Sequence, residues 1–408
     1  MKILVTNSVP LNGGDEALLR ATYLSLQKAL PQAEITVLCS NLELCRKYIT
    51  DINLDSDLEY LRPGKPRFKY FFFQKIRKIL LQYFKIGLNS KFSLLLANED
   101  EIRIKKLYRE CDIVISSPGG FLHDHYPIVK RIEGFKLAFQ YKKPVVIFSQ
   151  SVGPFWKDES VALIQKEFKN LAAIILREKI SYKYLSVCNV ASENVHITSD
   201  AAFLWRKLMP DLFVAKTGRV NSIALCFRNW PVINNQIEET ISKAVDLCNF
   251  LLQDEDRELI FISTCQGIEG YVDDSVHADA ILARLSSEKK IKCKIDRQRY
   301  SPVDLIKAYS QYDAFIGMRL HSAILSMLGG TPAMGLGYED KTLGIFEDLG
   351  FKKFQVSYDC TSDEWIVCAK NFINEIEFIR NRLPKALDEL ADIAMQSISI
   401  TKYITQKI

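Results

Sequence analysis

Arg319 and His321, followed by Lys341, are the residues of this sequence whose types and spacing best suit chemistry. They follow the apolar run 313–317, which is typical of a buried strand, and precede residues 322–328, which have helical periodicity. Open α/β sheets bind ligands at the carboxyl ends of their strands, beside helix N-termini. An arginine there can bind a phosphate or carboxylate, and a histidine can move a proton. The alternative is a structural arginine–carboxylate pair and a histidine that caps a helix.

A second arginine, Arg228, follows the apolar run 222–227. Carboxyl ends of parallel strands meet at one edge of a sheet, so Arg228 and Arg319 are expected close together. Each guanidinium makes two fixed hydrogen bonds, and such a pair can hold a substrate that carries both a phosphate and a carboxylate. Arg177 and Asp200 end two further strand-like runs in the first half of the chain.

Three loops in the first half also follow strand-like runs. Their candidate residues are Gly14, Asp15 and Glu16 in the first, Gly119 and Gly120 in the second, and Gln150 in the third. Glycines there permit a tight turn and close approach of the backbone to an anion. None of the loops is a P-loop or a G-x-G-x-x-G fingerprint, which argues against a nucleoside triphosphate or NAD. The two acids also have a simpler interpretation, since acidic residues favour a helix N-terminus.

The sequence predicts no metal and no cofactor. His123, Asp124 and His125 form a compact trio, but no further ligand group has a recognisable spacing. The ten cysteines are scattered without a C-x-x-C pair, and several lie in apolar strand-like runs. They are typical of reduced core residues rather than of a disulfide scaffold or a zinc site.

The elements that must position these residues alternate regularly. Short apolar runs bounded by turn residues are separated by amphipathic helical segments, which predicts an α/β fold with parallel sheets covered by helices. A chain of 408 residues exceeds one ordinary domain. We therefore predict two Rossmann-like domains facing a cleft, at 1–206 (with an insertion at about 60–98) and 220–355. The segment 362–408 is predicted to be helical and broken at Pro384.

Charge is unevenly distributed although the net charge is only +5. Residues 62–91 contain nine Lys or Arg and no Asp or Glu, interleaved with aromatic residues. This composition favours peripheral contact with an anionic membrane surface, or else a solvated helical insertion whose aromatics pack on the domain. No nucleic-acid-binding module accompanies it, so nucleic acid is not predicted. Without a signal peptide or a run of roughly 20 apolar residues, we expect a cytoplasmic protein, with the inner membrane face as the site of any contact.

Taken in order, the motifs resemble the polysaccharide pyruvyltransferase family. The motifs that carry the resemblance are Gly14-Asp15-Glu16-Ala17, Pro118-Gly119-Gly120, Gln150-Ser151-Val152-Gly153-Pro154, Arg177-Glu178-x-x-Ser181, Asp200-Ala201-Ala202-Phe203, Arg319-Leu320-His321 and Gly337-Tyr338-x-x-Lys341. Three positions depart from the family pattern. Pro118 replaces the first of three glycines, Ser151 stands where Gly is common, and Glu178 replaces the usual Asp.

The resemblance implies a fold similar to GT-B glycosyltransferases and transfer of a pyruvyl group from phosphoenolpyruvate to two hydroxyls of a sugar, which forms a cyclic ketal. The residue chemistry fits this reaction: Arg228, Arg319, Leu320, Lys341 and Arg177 are the expected donor-binding residues, with Gly14, Glu16, Gly119, Gly120 and Gln150 in acceptor-side loops. His321 is the expected general acid/base, and Asp15 or Asp200 the expected base for the acceptor hydroxyl. The saccharide acceptor is a cell-surface or exopolysaccharide precursor, and the basic segment favours a lipid-linked one.

Two other functions fit parts of the pattern. A GT-B glycosyltransferase would use the same arginines for the pyrophosphate of a nucleotide sugar. A membrane-surface scaffold would use the basic segment and the helical C-terminal region without catalysis.

Overall fold

The computed structural model describes residues 1–57, 99–190, 193–228 and 237–408. Two parallel sheets, each covered by helices, face one another, which confirms the predicted α/β class. The basic segment 62–91 lies outside the described residues. In the described part of the chain, no helix is both long and apolar enough to cross a membrane.

The first sheet is built from residues 2–197. Its strands are short and wholly or mostly buried, as expected for a parallel sheet with two covered faces. The elements in chain order are β1 (Lys2–Ser8), α1 (Gly13–Ala29), β2 (Glu34–Cys39), α2 (Leu42–Tyr48), β3 (Leu54–Ser56), α3 (Glu99–Glu110), β4 (Ile113–Ser116), β5 (Gly119–Leu122), α4 (Ile128–Gln140), β6 (Val145–Val152), α5 (Asp158–Phe168), β7 (Ala173–Leu176), α6 (Lys179–Val187) and β8 (Val195–Ile197).

A connection of short turns leads to the second sheet. It contains a 3₁₀ turn (Ala201–Leu204), α7 (Trp205–Leu208) and a second 3₁₀ turn (Pro210–Leu212). The second sheet comprises β9 (Ser222–Cys226), α8 (Ile237–Leu251), β10 (Glu258–Phe261), α9 (Ser275–Arg284), α10 (Ser287–Lys290), β11 (Cys293–Ile295), α11 (Pro302–Tyr309), β12 (Ala314–Gly317), α12 (Leu320–Leu328), β13 (Ala333–Gly337), α13 (Asp340–Asp348), a 3₁₀ turn (Lys352–Phe354) and β14 (Gln355–Ser357).

Strand order places the candidate loops. The first sheet runs β3-β2-β1-β4-β6-β7-β8, with β5 paired to β6, and the second runs β11-β10-β9-β12-β13-β14. The order reverses between β1 and β4 in the first sheet and between β9 and β12 in the second. Crevices at such switch points are the usual ligand sites of open α/β sheets. Just beyond the ends of β1, β4, β9 and β12 lie Asp15 in the first turn of α1, Gly120 in β5, Arg228, and Arg319, respectively.

The C-terminal region forms α14 (Ser362–Asn374) and α15 (Ile376–Thr405), and α15 returns to the first sheet. The hydroxyls of Thr198 and Ser397 lie 2.8 Å apart, and Ser199 Oγ donates to the Leu390 carbonyl at 2.7 Å. The predicted break at Pro384 is wrong, because α15 continues through it. A proline in a helix costs about 3 kcal/mol. Burial of Leu383 and Leu387 on either side of it offsets this cost.

Candidate active site between the two sheets

A cavity of about 480 Å³, here called the central cavity, lies where the two switch points meet. Both sheets contribute to its lining. The predicted site residues that line it are Asp15, Gly120, Arg177, Arg228, Arg319, Leu320, His321 and Lys341. Residues far apart in the sequence thus converge on one space, as the strand-end argument predicts.

The turn before α1 brings the halves into contact. Asn12 caps α1, because its side-chain oxygen accepts the Gly14 N–H at 2.9 Å. The Gly13 N–H donates to the Thr264 carbonyl of the second half at 2.7 Å. A methyl group on Gly14 would lie 2.7 Å from His321 Cβ and 2.9 Å from His321 Nδ1. Because Gly14 has no side chain, the imidazole of His321 has room to pack against it.

Arg177 is fully buried at the end of β7. Its Nη1 donates to Asp200 Oδ2 at 2.8 Å and its Nε to Ser151 Oγ at 2.7 Å. Its Nη2 is buried and has no hydrogen-bond partner among the described residues. A methyl group on Gly120 would lie 3.1 Å from this Nη2 and 3.3 Å from Lys341 Nζ. Two cationic groups thus converge on one glycine, and one of them has an unused N–H donor.

Lys341, at the start of α13, forms an ion pair of 2.5 Å with Glu339. Burial alone would lower the pKa of Lys341, but the Glu339 carboxylate outweighs this effect and holds that pKa above its ordinary value. Lys341 therefore remains a cation at the cavity wall.

Arg228 and Arg319, the two arginines predicted to bind the donor from the second half, differ in their contacts. The Arg319 guanidinium makes a bidentate pair with Asp274, through Nε and Nη2, both at 2.7 Å. The Arg228 Nη1 donates to the hydroxyl of Tyr338 at 2.7 Å. Both line the cavity, but Arg319 has two of its donors committed to a buried carboxylate.

Asp15 is a half-buried carboxyl group among cations. Burial raises its pKa, although His321 and Lys341 act in the opposite direction.

Asp200 differs from Asp15 because it lies behind Arg177 and His321 and does not line the cavity. Burial alone would raise the pKa of Asp200, but Arg177 and His321 hold it well below its usual range. Asp200 Oδ2 lies 3.5 Å from His321 Nε2, which makes no hydrogen bond within the described residues.

Three of the predicted loop residues act as structural links. Glu16 forms ion pairs with Arg20 and, across the cleft, with Arg299. Gln150 Nε2 donates to the Ser117 carbonyl and so ties β6 to the loop after β4. Gly119 has a φ of 155°, a conformation that favours glycine. None of the three lines the central cavity.

The His123–His125 trio is not arranged for a metal. The Asp124 carboxylate accepts the N–H groups of Trp156 and Lys157, at 2.7 and 2.8 Å, and the hydroxyl of Ser160. Among the described residues, no group of three His, Cys, Asp or Glu side chains could hold a metal ion.

Sequence reasoning missed several residues of the cavity lining, among them Asn7, Tyr126, Arg131 and Tyr271. Asn7 offered one signal, because asparagine tolerates the left-handed backbone that it adopts at the end of β1, with a φ of 63°. Its side-chain amide donates to Ser116 Oγ and the Arg131 carbonyl, at 3.3 and 3.2 Å. Tyr126 and Tyr271 lie in loops without any periodic signal.

Comparison with solved structures identifies the fold. Solved structures of the same fold include the UDP co-structure of S. aureus MnaA, with a TM-score of 0.57 at 14% identity, covering 94% of this chain and 91% of that one. They also include the spinosyn rhamnosyltransferase SpnG, with a TM-score of 0.54 at 13% identity and 100% of both chains. The UDP-GlcNAc 2-epimerase of Neisseria meningitidis bound to UDP-GlcNAc has a TM-score of 0.54 at 14% identity, also over 100% of both chains. At these identities the likeness establishes the GT-B-like fold alone.

Sequence relatives carry more information. The chain is 26% identical over 412 residues to the amylovoran biosynthesis protein AmsJ of Erwinia amylovora, covering 95% of this chain and 96% of that protein. The sequence pattern of polysaccharide pyruvyl transferases matches residues 12–341, which include every residue that lines the central cavity except Asn7 and Val9. On this match, the chain belongs to the polysaccharide pyruvyl transferase family.

Proposed function

We propose that this protein transfers a pyruvyl group from phosphoenolpyruvate to two hydroxyls of a sugar in a cell-surface or exopolysaccharide precursor, which forms a cyclic ketal. One observation carries the proposal: among the described residues, a single cavity brings together five cationic side chains, one histidine and one half-buried carboxyl group. The cations are Arg131, Arg177, Arg228, Arg319 and Lys341. A small dianionic or trianionic donor fits such a cavity because its charges find partners there.

The donor anions have specific partners in this proposal. The unpartnered Nη2 of Arg177 and the ammonium group of Lys341 both approach Gly120, so one anionic group of the donor binds there. Arg228 binds the other from the opposite wall. Arg319 contributes its charge and positions the start of α12, since Asp274 already holds its Nε and Nη2.

The protons balance over the whole proposed reaction. Protonation of C3 of the enol makes C2 electrophilic, and the first sugar hydroxyl adds to C2 and loses its proton. The C2–O bond to phosphate then breaks, and the second hydroxyl attacks C2, loses its proton and closes the ketal. Of the two protons released by the hydroxyls, one replaces the proton given to C3 and the other leaves with the phosphate.

Two residues share the proton transfer. His321 acts as general acid/base, since imidazole exchanges protons near neutral pH. Burial favours the protonated form of Asp15, so this carboxyl can donate a proton to C3 as well as accept one. Asp200, hidden behind His321, positions the imidazole rather than serving as the base for a hydroxyl.

The melting temperature of the protein, measured with each of four ligands, tests the identity of the donor. Phosphoenolpyruvate at about 100 times its dissociation constant should stabilise the protein by roughly 2.7 kcal/mol, whereas UDP, GDP and CMP should not. Arg228→Gln should abolish the shift. Arg219→Gln is the matched control, because Arg219 precedes the same strand β9 at its opposite end and is largely exposed. A shift with a nucleotide alone would instead make the protein a glycosyltransferase.

A second proposal concerns residues 62–91, which we propose contact an anionic membrane surface and bring the protein to a lipid-linked acceptor at the cytoplasmic face. Its support is the sequence composition, nine basic residues with interleaved aromatics. Sedimentation with phosphatidylglycerol vesicles, compared with phosphatidylcholine vesicles, tests it. Deletion of residues 63–91 should abolish binding to the anionic vesicles and leave turnover on a soluble acceptor. A deletion variant without turnover would favour the scaffold function.

A further inference from the structure

A second cavity, of about 180 Å³, adjoins the central cavity and is here called the side cavity. It lies between the end of β6, helix α6 and the turn that connects β13 to α13. Gly120, Tyr338 and Lys341 line both cavities, so a molecule in one would touch the same wall as a molecule in the other.

The two cavities have opposite electrostatic character. Of the described residues, those that line the central cavity include five Arg or Lys residues and a single carboxyl group, that of Asp15. Those that line the side cavity include three carboxyl groups, of Glu178, Glu339 and Asp340, and one Lys or Arg residue, Lys341. An anionic donor is therefore attracted to the central cavity and repelled from the side cavity, which favours a neutral ligand with hydrogen-bond donors.

The imidazole of His123 adds no positive charge to the side cavity at neutral pH. Burial, with Lys341 nearby, lowers its pKa to about 4. The Nε2 of His123 contacts the Gly120 carbonyl at 3.1 Å, and its Nδ1 accepts the His125 N–H at 3.3 Å. The neutral ring thus holds the loop that separates the two cavities.

A row of aromatic rings runs from the cavity lining to solvent. His123 contacts both Tyr126 and His125, with ring centroids 4.8 and 5.2 Å apart, and His125 contacts Trp156 at 4.6 Å. Trp156 is 53% exposed. Its backbone is nevertheless fixed, because Asp124 accepts the N–H groups of Trp156 and Lys157. Trp156 does not itself line the side cavity, but its indole packs against His125, which does. A half-exposed indole beside a cavity-lining residue offers a surface for the apolar face of a ligand that extends out of the cavity.

We propose that the side cavity binds one sugar ring of the acceptor, with Trp156 against the apolar face of the sugar and the carboxyl groups of Glu339 and Asp340 accepting its hydroxyls. This inference rests on the proposed function for the role of the sugar as acceptor. A sugar has an apolar C–H face and several O–H donors; the carboxyl groups in the side cavity accept from the donors, and Trp156, which contacts the cavity-lining His125, offers a partner for the apolar face. The shared wall at Gly120 and Lys341 places the sugar beside the donor.

Saturation-transfer NMR with three neutral probes tests the inference: the methyl glycosides of glucose, galactose and mannose. At least one should bind the full-length protein, and Trp156→Ala should weaken its binding about tenfold. Trp156→Phe, which retains a ring, should keep most of the affinity. Tyr182→Ala is the control, since Tyr182 is 39% exposed on α6 and lines neither cavity.

Phosphoenolpyruvate binding separates this inference from the proposed function. Trp156→Ala should leave the thermal shift with phosphoenolpyruvate unchanged. If the wild-type protein binds a glycoside through Trp156 but shows no shift with phosphoenolpyruvate, the side cavity is a sugar site and the donor assignment fails. Equal glycoside binding by wild type and Trp156→Ala, or no binding of any of the three probes, would overturn the inference.

Discussion

At the scale of one residue, substitution of His321 tests the proposed proton transfer. His321 lines the central cavity and lies 3.5 Å from Asp200, in the space that Gly14 leaves. His321→Asn keeps a polar side chain but cannot exchange protons near neutral pH. We expect turnover to fall by about 10²–10⁴-fold, as for loss of a general acid/base, with little change in melting temperature. Steady-state rates of phosphate release from phosphoenolpyruvate, measured with acceptor, give the comparison.

His196→Asn is the control for this substitution. His196 lies on β8 and lines neither the central nor the side cavity, so its replacement should leave turnover unchanged. A turnover of His321→Asn within about threefold of the wild-type value would remove His321 from the proton transfers.

Asp15 gives a prediction about stability and pH. Because burial raises its pKa in the folded state, the native protein retains this proton at pH values where the unfolded chain has lost it. Stability therefore falls as pH rises through the native pKa, and Asp15→Asn removes this cost. We expect Asp15→Asn to melt above wild type at pH 8, with the difference shrinking toward pH 4, and to lose turnover.

Glu339→Gln should change stability in the opposite direction. Burial alone would raise the pKa of Glu339, but Lys341 holds it below its ordinary value, so its charge stabilises the native state above the unfolded pKa. This variant should melt below wild type at pH 8. If Asp15→Asn also melts below wild type at pH 8, the Asp15 carboxylate is stabilised by the cations around it and our interpretation is wrong.

At the scale of elements, the turn before α1 determines whether the cavity can form. Gly14→Ala adds a methyl group that would lie 2.7 Å from His321 Cβ, which is too close for two carbon atoms. The imidazole or the turn must shift, and misplacement of about 1 Å can cost about 10²-fold in rate. We expect that loss of turnover with a cooperative thermal transition retained, measured by the same assay and by calorimetry.

Gly218→Ala controls for the effect of adding a methyl group. Gly218 has a φ of 83° and no atom within 4 Å of the added group, so the cost is backbone strain of about 1 kcal/mol without loss of turnover. Unchanged turnover in Gly14→Ala would show that His321 tolerates displacement.

The elements were predictable where local pattern decides the structure. The buried strands β1, β6 and β12 each contain three or four consecutive apolar residues, and α1 begins at an asparagine cap, so both kinds of element have a signal in the sequence. Short strands such as β5 and β14 were missed because their pairing depends on distant partners. The predicted helix break at Pro384 was wrong because the burial of α15 against the rest of the protein outweighs the local tendency of proline to end a helix.

The position of the candidate site could be predicted from the sequence, but the ion pairs and hydrogen bonds within it could not. Strand ends indicated where Arg177, Arg319 and His321 would meet. Nothing local to Arg319 indicated that Asp274 would take up two of its donors, since the two residues are 45 positions apart. The side cavity could not be predicted either, because it forms only where the loop after β5 meets the turn after β13.

At the scale of the whole molecule, the active site depends on contacts that join the two sheets. Gly13 donates to the Thr264 carbonyl, Tyr184 donates to Asp340 at 2.5 Å, and Glu16 pairs with Arg299. Both cavities lie among these contacts, since residues of both sheets line each of them. The relative placement of the sheets therefore determines the geometry of both cavities.

Arg299→Met tests this joining contact. Among the described residues, it leaves Glu16, whose side chain is 1% exposed, with Arg20 of the first half as its remaining ion-pair partner. Loss of a fully buried ion-pair partner costs about 3–5 kcal/mol, and an exposed pair contributes at most about 1 kcal/mol. Because Arg20 still compensates Glu16, we expect a loss of about 2 kcal/mol in the free energy of unfolding, measured by urea denaturation.

Arg297→Met is the matched control on the same segment. Arg297 pairs with Asp279 within the second half, and the two side chains are 51% and 56% exposed, so its loss should cost well under 1 kcal/mol. Arg299→Met should also raise the KM for both substrates, because the pair holds the two cavity walls together, whereas Arg297→Met should not. Equal effects of the two substitutions on stability and KM would mean that the Glu16–Arg299 pair does not set the placement of the sheets. The other contacts between the two sheets would then be enough to hold them in place.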